Sequence, residues 1–220
     1  NIMRQKSFLL CLIIGVLCVV LAGCAGNDAS AGPPSAQGDD FTLPRESHYK
    51  VVVVGGEPEG IAAALAAARS GKKTLLIEEG PALGGLWTLG WLNFFDMNYG
   101  PEGELLTRGI FEEFYEALGN GFDIEEAIEY FAEVTQAEPL LDVALNTKLG
   151  QPFLRSGSQE NPEVEEGPVS QENAILKESP VLYRLDTEMG QQIYGKRFID
   201  ATTDADLAAA CGVPYTIGGE

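Results

Sequence analysis

Histidine is nearly absent: His48 is the only one in 220 residues. Cysteine is scarce as well, with four in the chain, no Cys-x-x-Cys pair and no clustering with histidine. A Ser-His-Asp triad needs a histidine beside its nucleophile, and a zinc site needs several nitrogen or sulfur ligands. Both are excluded as the centre of the chemistry, and no metal is expected. Basic residues are few: 14 Lys and Arg stand against 33 Asp and Glu, a formal net charge of −19. A chain of this sign repels phosphate backbones, so nucleic acid is not an expected partner. No fixed period recurs, which excludes collagen, coiled coils and repeat arrays. Hydrophobic residues are plentiful at 45%, against 21% charged, enough to build a buried core.

The N-terminal region reads as an export signal. Met3 is the natural start, Arg4 and Lys6 form a basic patch, and Ser7 to Ala22 is almost wholly apolar. That run falls slightly short of the ~20 residues a membrane span needs. It leads into Leu21-Ala22-Gly23-Cys24, which resembles a bacterial lipobox, where small residues precede the cut and the cysteine thiol takes the lipid. Residues 1–23 are therefore expected to be a lipoprotein signal peptide, with lipidation at Cys24 and attachment to the cell membrane after export; the alternative is an uncleaved anchor helix, which would also leave the protein exported and membrane-attached. Cys11 and Cys18 would leave with the signal, so Cys211 is the one remaining thiol and no intrachain disulfide is expected. Residues 24–48 are small, polar and rich in proline and glycine, as in a flexible tether. The folded domain is expected over 49–220.

Within it, Tyr49 to Val54 is a continuous β-branched run, the pattern of a strand buried on both faces. The glycine-rich turn Gly55-Gly56-Glu57-Pro58-Glu59-Gly60 follows. An Ala-rich helix is predicted from Ile61 to Ser70, stopped by Gly71, and a second buried strand from Thr74 to Ile77. Residues 83–103 are rich in glycine and aromatics without a period. Leu106, Ile110, Phe114 and Leu118 recur every four residues and predict a helix over 104–118, ended by Gly119. Asp123 with Glu126 suggests a capping box for a helix to about Val134. Strands are predicted over 140–146, 181–186 and 192–199, and a short helix over 204–210. Residues 150–179 read as a polar surface insertion.

The strand–turn–helix–strand unit has the size and spacing of a dinucleotide site. Gly55 permits the tight turn, Gly60 permits close packing of helix on strand, and the helix N-terminus directs free N–H groups at a pyrophosphate. Glu78 follows Gly60 by 18 residues, the place of a carboxylate that holds an adenosine ribose. Glu57 departs from the pattern, which has glycine there. A carboxylate about 4 Å from a phosphate costs about 4 kcal/mol at an effective dielectric near 20. Its side chain is therefore expected to turn outward to solvent.

The stretches VVVVGGEPEGIAAALAAARSGKKTLLIEE, LGGLWTLGWLNFFDMNYGPEGELLTRGIFEEFYEAL and RFIDATTDADLAAACGVPYTIG together resemble bacterial FAD-dependent oxidoreductases. These have a glutathione-reductase-type FAD domain and are related to the flavin-carrying part of heterodisulfide reductase. The resemblance covers residues 49–149 and 181–220. It implies a Rossmann-like α/β fold with a β-meander, and FAD as cofactor. FAD would lie on Gly55, Gly56, Glu57, Pro58, Gly60, Glu78 and Glu79, with Gly84 and Gly85 on the pyrophosphate or flavin side and adenine beside Leu149. Ala201, Thr202 and Asp204 match a second FAD motif, in which Thr203 replaces a frequent glycine. It also implies that a later segment and a separate substrate domain complete the flavin site, so turnover by these 220 residues alone is not expected.

Trp87, Trp91, Phe94, Phe95 and Tyr99 could pack beside a flavin ring or build core. Asp96 reads as a solvated loop carboxylate and Cys211 as a small buried hydrophobe. No residue qualifies as a catalytic acid or base. The leading expectation is an exported, lipid-anchored flavoprotein oxidoreductase with an unknown small-molecule substrate or electron partner. The alternative is a non-catalytic or truncated nucleotide-binding lipoprotein.

Overall fold

In the computed structural model, the described residues are 41–156 and 180–218. The predicted signal, Cys24 and most of the tether fall outside them, as do residues 157–179. The elements in chain order are β1 (Glu46–Val54), α1 (Pro58–Arg69), β2 (Thr74–Ile77), a 3-10 turn (Gly85–Trp87), α2 (Ile110–Leu118), α3 (Ile124–Gln136), β3 (Leu141–Ala144), β4 (Leu149–Ser156), β5 (Pro180–Thr187), β6 (Gln192–Asp200) and α4 (Asp206–Ala210). Among the described residues no helix is long and apolar enough to cross a membrane.

The six strands form one sheet in the order β3-β2-β1-β6-β5-β4. β3, β2, β1 and β6 run parallel, and β4–β5–β6 form an antiparallel meander. β1 is central, flanked by β2 and β6, and its last three valines are buried. Alternation along the strands divides them between two faces. Val53 and Leu76 face a core with Ile61, Leu65, Phe114 and Phe131. Val52, Val54, Leu75 and Ile77 face a second core with Leu185, Ile193 and Leu207. The register places Val54 level with Ile77 on one side and with Asp200 on the other. The ends of β1, β2 and β6 therefore reach one edge of the sheet together.

α1 buries Gly60, Ile61, Ala64, Leu65 and Ala68; the small Gly60, Ala64 and Ala68 let it approach the sheet, and Ile61 and Leu65 fill the core. Pro58 opens it, where a missing N–H costs nothing, and Gly71 follows it at φ +77°. Arg69 at its last turn donates to Glu113 of α2 at 2.9 Å and to Glu138 beyond α3 at 2.6 Å, pinning the three helices. Asp123 caps α3, accepting from the N–H groups of Glu125 at 2.9 Å and Glu126 at 3.4 Å.

Three sequence boundaries are corrected. α2 starts at Ile110, not at residue 104, because Gly109 takes φ +75° and breaks the helical run; Leu105 instead bridges Tyr99. Residues 150–156 are not part of a polar insertion but belong to β4. As the edge strand of the meander, β4 tolerates Pro152, and Gly150 and Pro152 interrupt its apolar residues Leu149, Phe153 and Leu154. β1 starts at Glu46, so Glu46, Ser47 and His48 belong to the sheet and not to a tether; Ser47 is buried and His48 stacks on Tyr194 at 4.8 Å.

Candidate functional site

The aligned strand ends open onto a cleft of about 480 Å³. Of the residues singled out in the sequence, Gly55, Glu57, Glu78, Glu79, Leu149, Thr202 and Asp204 line it. The end of β1 supplies the turn, the end of β2 the carboxylates, the β3–β4 connection Lys148, the start of β4 Leu149, and the end of β6 the Thr202–Asp204 segment. The β3–β4 connection is held over the end of β2 by two backbone bonds. Thr147 N–H donates to the Glu78 carbonyl at 2.9 Å, and Asn146 N–H to the Gly80 carbonyl at 3.0 Å.

Gly55 takes φ +106°, and any side chain there would collide with the Ala201 carbonyl. Only glycine lets the end of β1 and the end of β6 approach this closely. Gly60 is equally constrained, since a Cβ would overlap the Gly55 carbonyl. Gly56 and Ala201 lie behind the cleft wall, both buried. The Gly56 N–H is committed inward, donating to Glu78 Oε2 at 2.6 Å, while the Gly80 N–H donates to Oε1 at 2.5 Å. Both oxygens of Glu78 are thus fixed by backbone, yet each keeps a lone pair for a further donor.

Glu57 corrects the expectation of an outward side chain. It is half-buried, and its Oε2 accepts a 3.1 Å bond from Leu86 N–H, folding the carboxylate over Gly85. Gly84 and Gly85 take φ +101° and +45°. They sit beyond Glu57 and do not line the cleft.

Charge on the lining is mostly negative: Glu57, Glu78, Glu79, Asp204 and Asp206 against Lys148. Lys148 Nζ lies 3.9 Å from Glu79 and 3.5 Å from Glu188. The α1 N-terminus at the cleft has no side-chain cap, so its first N–H groups are open to an anion.

Asp200 marks only the end of a strand in the sequence pattern. In the structure it organises the second motif. Its Oδ1 accepts from the Thr202 N–H at 3.0 Å and the Thr202 hydroxyl at 2.7 Å, and its Oδ2 from Ala208 N–H at 2.7 Å. The Thr202 Oγ1 in turn accepts from Asp206 N–H at 2.8 Å. The signal that could have found it is the acid directly before Ala-Thr at a strand end.

The aromatic segment divides. Phe95 is buried, and Trp87 meets it edge-on at 4.6 Å within the helical core. Trp91, Phe94 and Tyr99 are exposed. None of the five lines the cleft. Asp96 is exposed in its loop. Cys211 is half-buried against the second core, and burial, reinforced by Asp200, raises its thiol pKa. That makes it a poor nucleophile.

A parallel sheet with a glycine turn at the end of β1, a carboxylate at the end of β2 and a β-meander leading to a second motif defines a glutathione-reductase-type FAD-binding domain. A family model described as FAD dependent oxidoreductase matches residues 50–220, and the chain belongs to that family, whose cofactor is FAD. No curated protein matches the chain. Among solved structures it is similar to the L-proline dehydrogenase from P. horikoshii, with 19% identity, a TM-score of 0.39, and coverage of 71% of this chain and 23% of that one. It is also similar to Thermovibrio ammonificans THI4, with 19% identity, a TM-score of 0.48, and coverage of 76% and 64%. A flavin-containing monooxygenase from Stenotrophomonas maltophilia gives 20% identity, a TM-score of 0.42, and coverage of 70% and 38%. The chain spans less than two thirds of the length of each of these.

The cleft fits the adenosine and pyrophosphate half of FAD. It offers a carboxylate with spare lone pairs, an uncapped helix terminus and a glycine cradle that no side chain could enter.

Proposed function

We propose that the chain holds FAD in this cleft as part of an oxidoreductase that passes hydride or electrons between a small-molecule substrate and an electron partner. The observation that carries the reading is the convergence of Gly55, Glu78 and Thr202 on one cleft through the register of β1, β2 and β6. Glu78 accepts hydroxyl donors of the adenosine ribose. The α1 terminus, with Gly55, Pro58 and Gly60 keeping the backbone close, meets the pyrophosphate. Leu149 borders the adenine, and Thr202 and Asp204 close the opposite wall. Bound FAD supplies the two-electron chemistry, and the protein binds, orients and shields it.

We further read the finer family link as one to the flavin-carrying part of heterodisulfide reductase, and the location as the cell membrane, through lipid on Cys24. The apolar run ending in Leu-Ala-Gly-Cys supports the second reading.

The deciding experiment is titration of the purified chain with FAD, followed by gel filtration and a visible spectrum. Saturable binding that Glu78→Ala weakens at least tenfold supports the reading. Failure of the wild-type chain to bind FAD at all overturns it.

A further inference from the structure

Glu57 stands where the glycine pattern has no side chain, and its side chain stays in the site. Two observations describe what it does there. Its Oε2 accepts from Leu86 N–H at 3.1 Å, and its carboxylate fills the space that a Cβ on Gly85 would need. The same residue is the N-cap of α1, extended at φ −64° and ψ 163°, and its carbonyl accepts from Ile61 N–H at 2.9 Å. One residue therefore spans from the helix terminus to the 3-10 turn. On its near side is the cleft, which Glu57 lines; on its far side are Gly84 and Gly85, which do not.

The 3-10 turn does not depend on this contact for its place. Gly84 N–H donates to the Gly56 carbonyl at 2.8 Å, and the Thr88 hydroxyl donates to the Leu83 carbonyl at 2.8 Å. The first bond ties the loop to the glycine turn and the second closes the loop around Leu86, both without Glu57. What the carboxylate adds is an anion on a backbone donor of the kind that otherwise meets phosphate oxygens.

We infer that Glu57 is a resident anion that closes the passage between the adenosine end of the cleft and Gly84–Gly85, and that a diphosphate-bearing cofactor must displace it from Leu86 N–H to bind. The inference rests on the FAD reading above. Binding then breaks one charge-assisted hydrogen bond and brings like charges together, which weakens affinity for diphosphate ligands. A ligand confined to the adenosine end meets neither effect. Glu57 thus sets how strongly the site discriminates FAD from adenosine.

The test compares wild type, Glu57→Gln and Glu57→Gly in the full chain. FAD and adenosine are titrated separately by calorimetry, and amide hydrogen exchange is followed at Leu86 without ligand. Glu57→Gly should bind FAD roughly tenfold more tightly, with adenosine affinity changed by less than about twofold. Glu57→Gln keeps an acceptor but loses the charge and should fall between. The Leu86 amide should exchange faster in Glu57→Gly than in wild type. Equal or weaker FAD binding by both variants, with wild type still binding FAD, overturns the inference and leaves the FAD reading standing. Absence of FAD binding in all three overturns both. If Glu57→Gly does not fold, Glu57→Gln decides alone, and unchanged FAD affinity there overturns the inference.

Discussion

Gly56 N–H donates to Glu78 Oε2 at 2.6 Å across 22 residues of sequence, tying the glycine turn to the end of β2. The Gly80 N–H holds the other oxygen, so the carboxylate is a structural bracket before it is a ligand group. Glu78→Ala leaves the amides of buried Gly56 and half-buried Gly80 without their acceptor, and the expected loss is about 1–3 kcal/mol of stability. Urea unfolding should show a lower midpoint with an unchanged slope. Glu78→Gln keeps one acceptor oxygen and should lose less. Equal midpoints for wild type and Glu78→Ala would remove the bracket.

Gly60 and Gly71 separate two reasons for glycine. A Cβ on Gly60 overlaps the Gly55 carbonyl, so helix and turn must part to admit it. Gly71 has φ +77° but open space around it, so alanine there costs only backbone strain. Gly71→Ala should lose about 1 kcal/mol. Gly60→Ala should lose more, at least about 2 kcal/mol, and FAD binding with it. Thermal melts of the pair check the order, and the reverse order would refute this account.

The βαβ core is readable because its determinants are local. The valine run, Pro58 at the helix start, Gly71 at its end and Glu78 after β2 each act on neighbours a few residues away. β2 falls at Thr74–Ile77 as expected because a strand buried on both faces is continuously apolar. The misread elements are those whose pattern tertiary structure overrides. The four-residue spacing that includes Leu106 runs through Gly109, whose positive φ cuts the helix, and leaves Leu106 exposed. β4 lies at a sheet edge, where Gly150 and Pro152 are tolerated and break the apolar pattern as loop residues would. The site divides in the same way. Gly55 and Glu78 follow from spacing, whereas Glu57 finds Leu86 29 residues away and Asp200 finds Ala208 across a turn. Neither partner is marked by composition.

Asp200 carries a prediction of its own. Its Oδ2 accepts from Ala208 N–H, so Asp200→Asn, oriented to keep the Thr202 bonds, turns an amide NH₂ toward a backbone N–H. The lost bond should cost about 1–2 kcal/mol and loosen α4 and the Thr202–Asp204 wall. Hydrogen exchange across residues 202–210 should accelerate, and FAD affinity should fall. Unchanged exchange there would show that α4 is held by Leu207 alone.

Lipidation at Cys24 predicts that Cys24→Ala leaves a larger, unprocessed precursor in the membrane fraction. Intact-mass analysis reads it directly. Wild-type protein that still carries residues 1–23 would refute the assignment.

Tyr49 provides a pH dependence with a definite sign. Its ring is buried, and its hydroxyl donates to Asp142 at 2.9 Å, linking β1 to β3. Burial raises its pKa well above the ordinary tyrosine value, and the hydrogen bond to Asp142 and the charge of that carboxylate raise it further. Lys73 Nζ, 4.7 Å from the ring centroid, faces it as the nearby cation. The folded pKa is the higher one, so the neutral phenol is the form the fold favours. Its contribution is fully present below about pH 10, where the unfolded chain begins to ionise, and is lost as pH rises through the folded value. Wild-type stability should therefore fall with rising pH from about pH 10. Tyr49→Phe removes the titrating group and leaves Asp142 without its donor. It should be less stable at pH 7, by about 0.5–1.5 kcal/mol, and should decline less steeply above pH 10. Urea unfolding of both chains at about pH 7, 9 and 10.5, a range that brackets the ordinary tyrosine value, measures the two slopes. Parallel alkaline slopes would show that the Tyr49 hydroxyl does not govern the loss and would place it in another group.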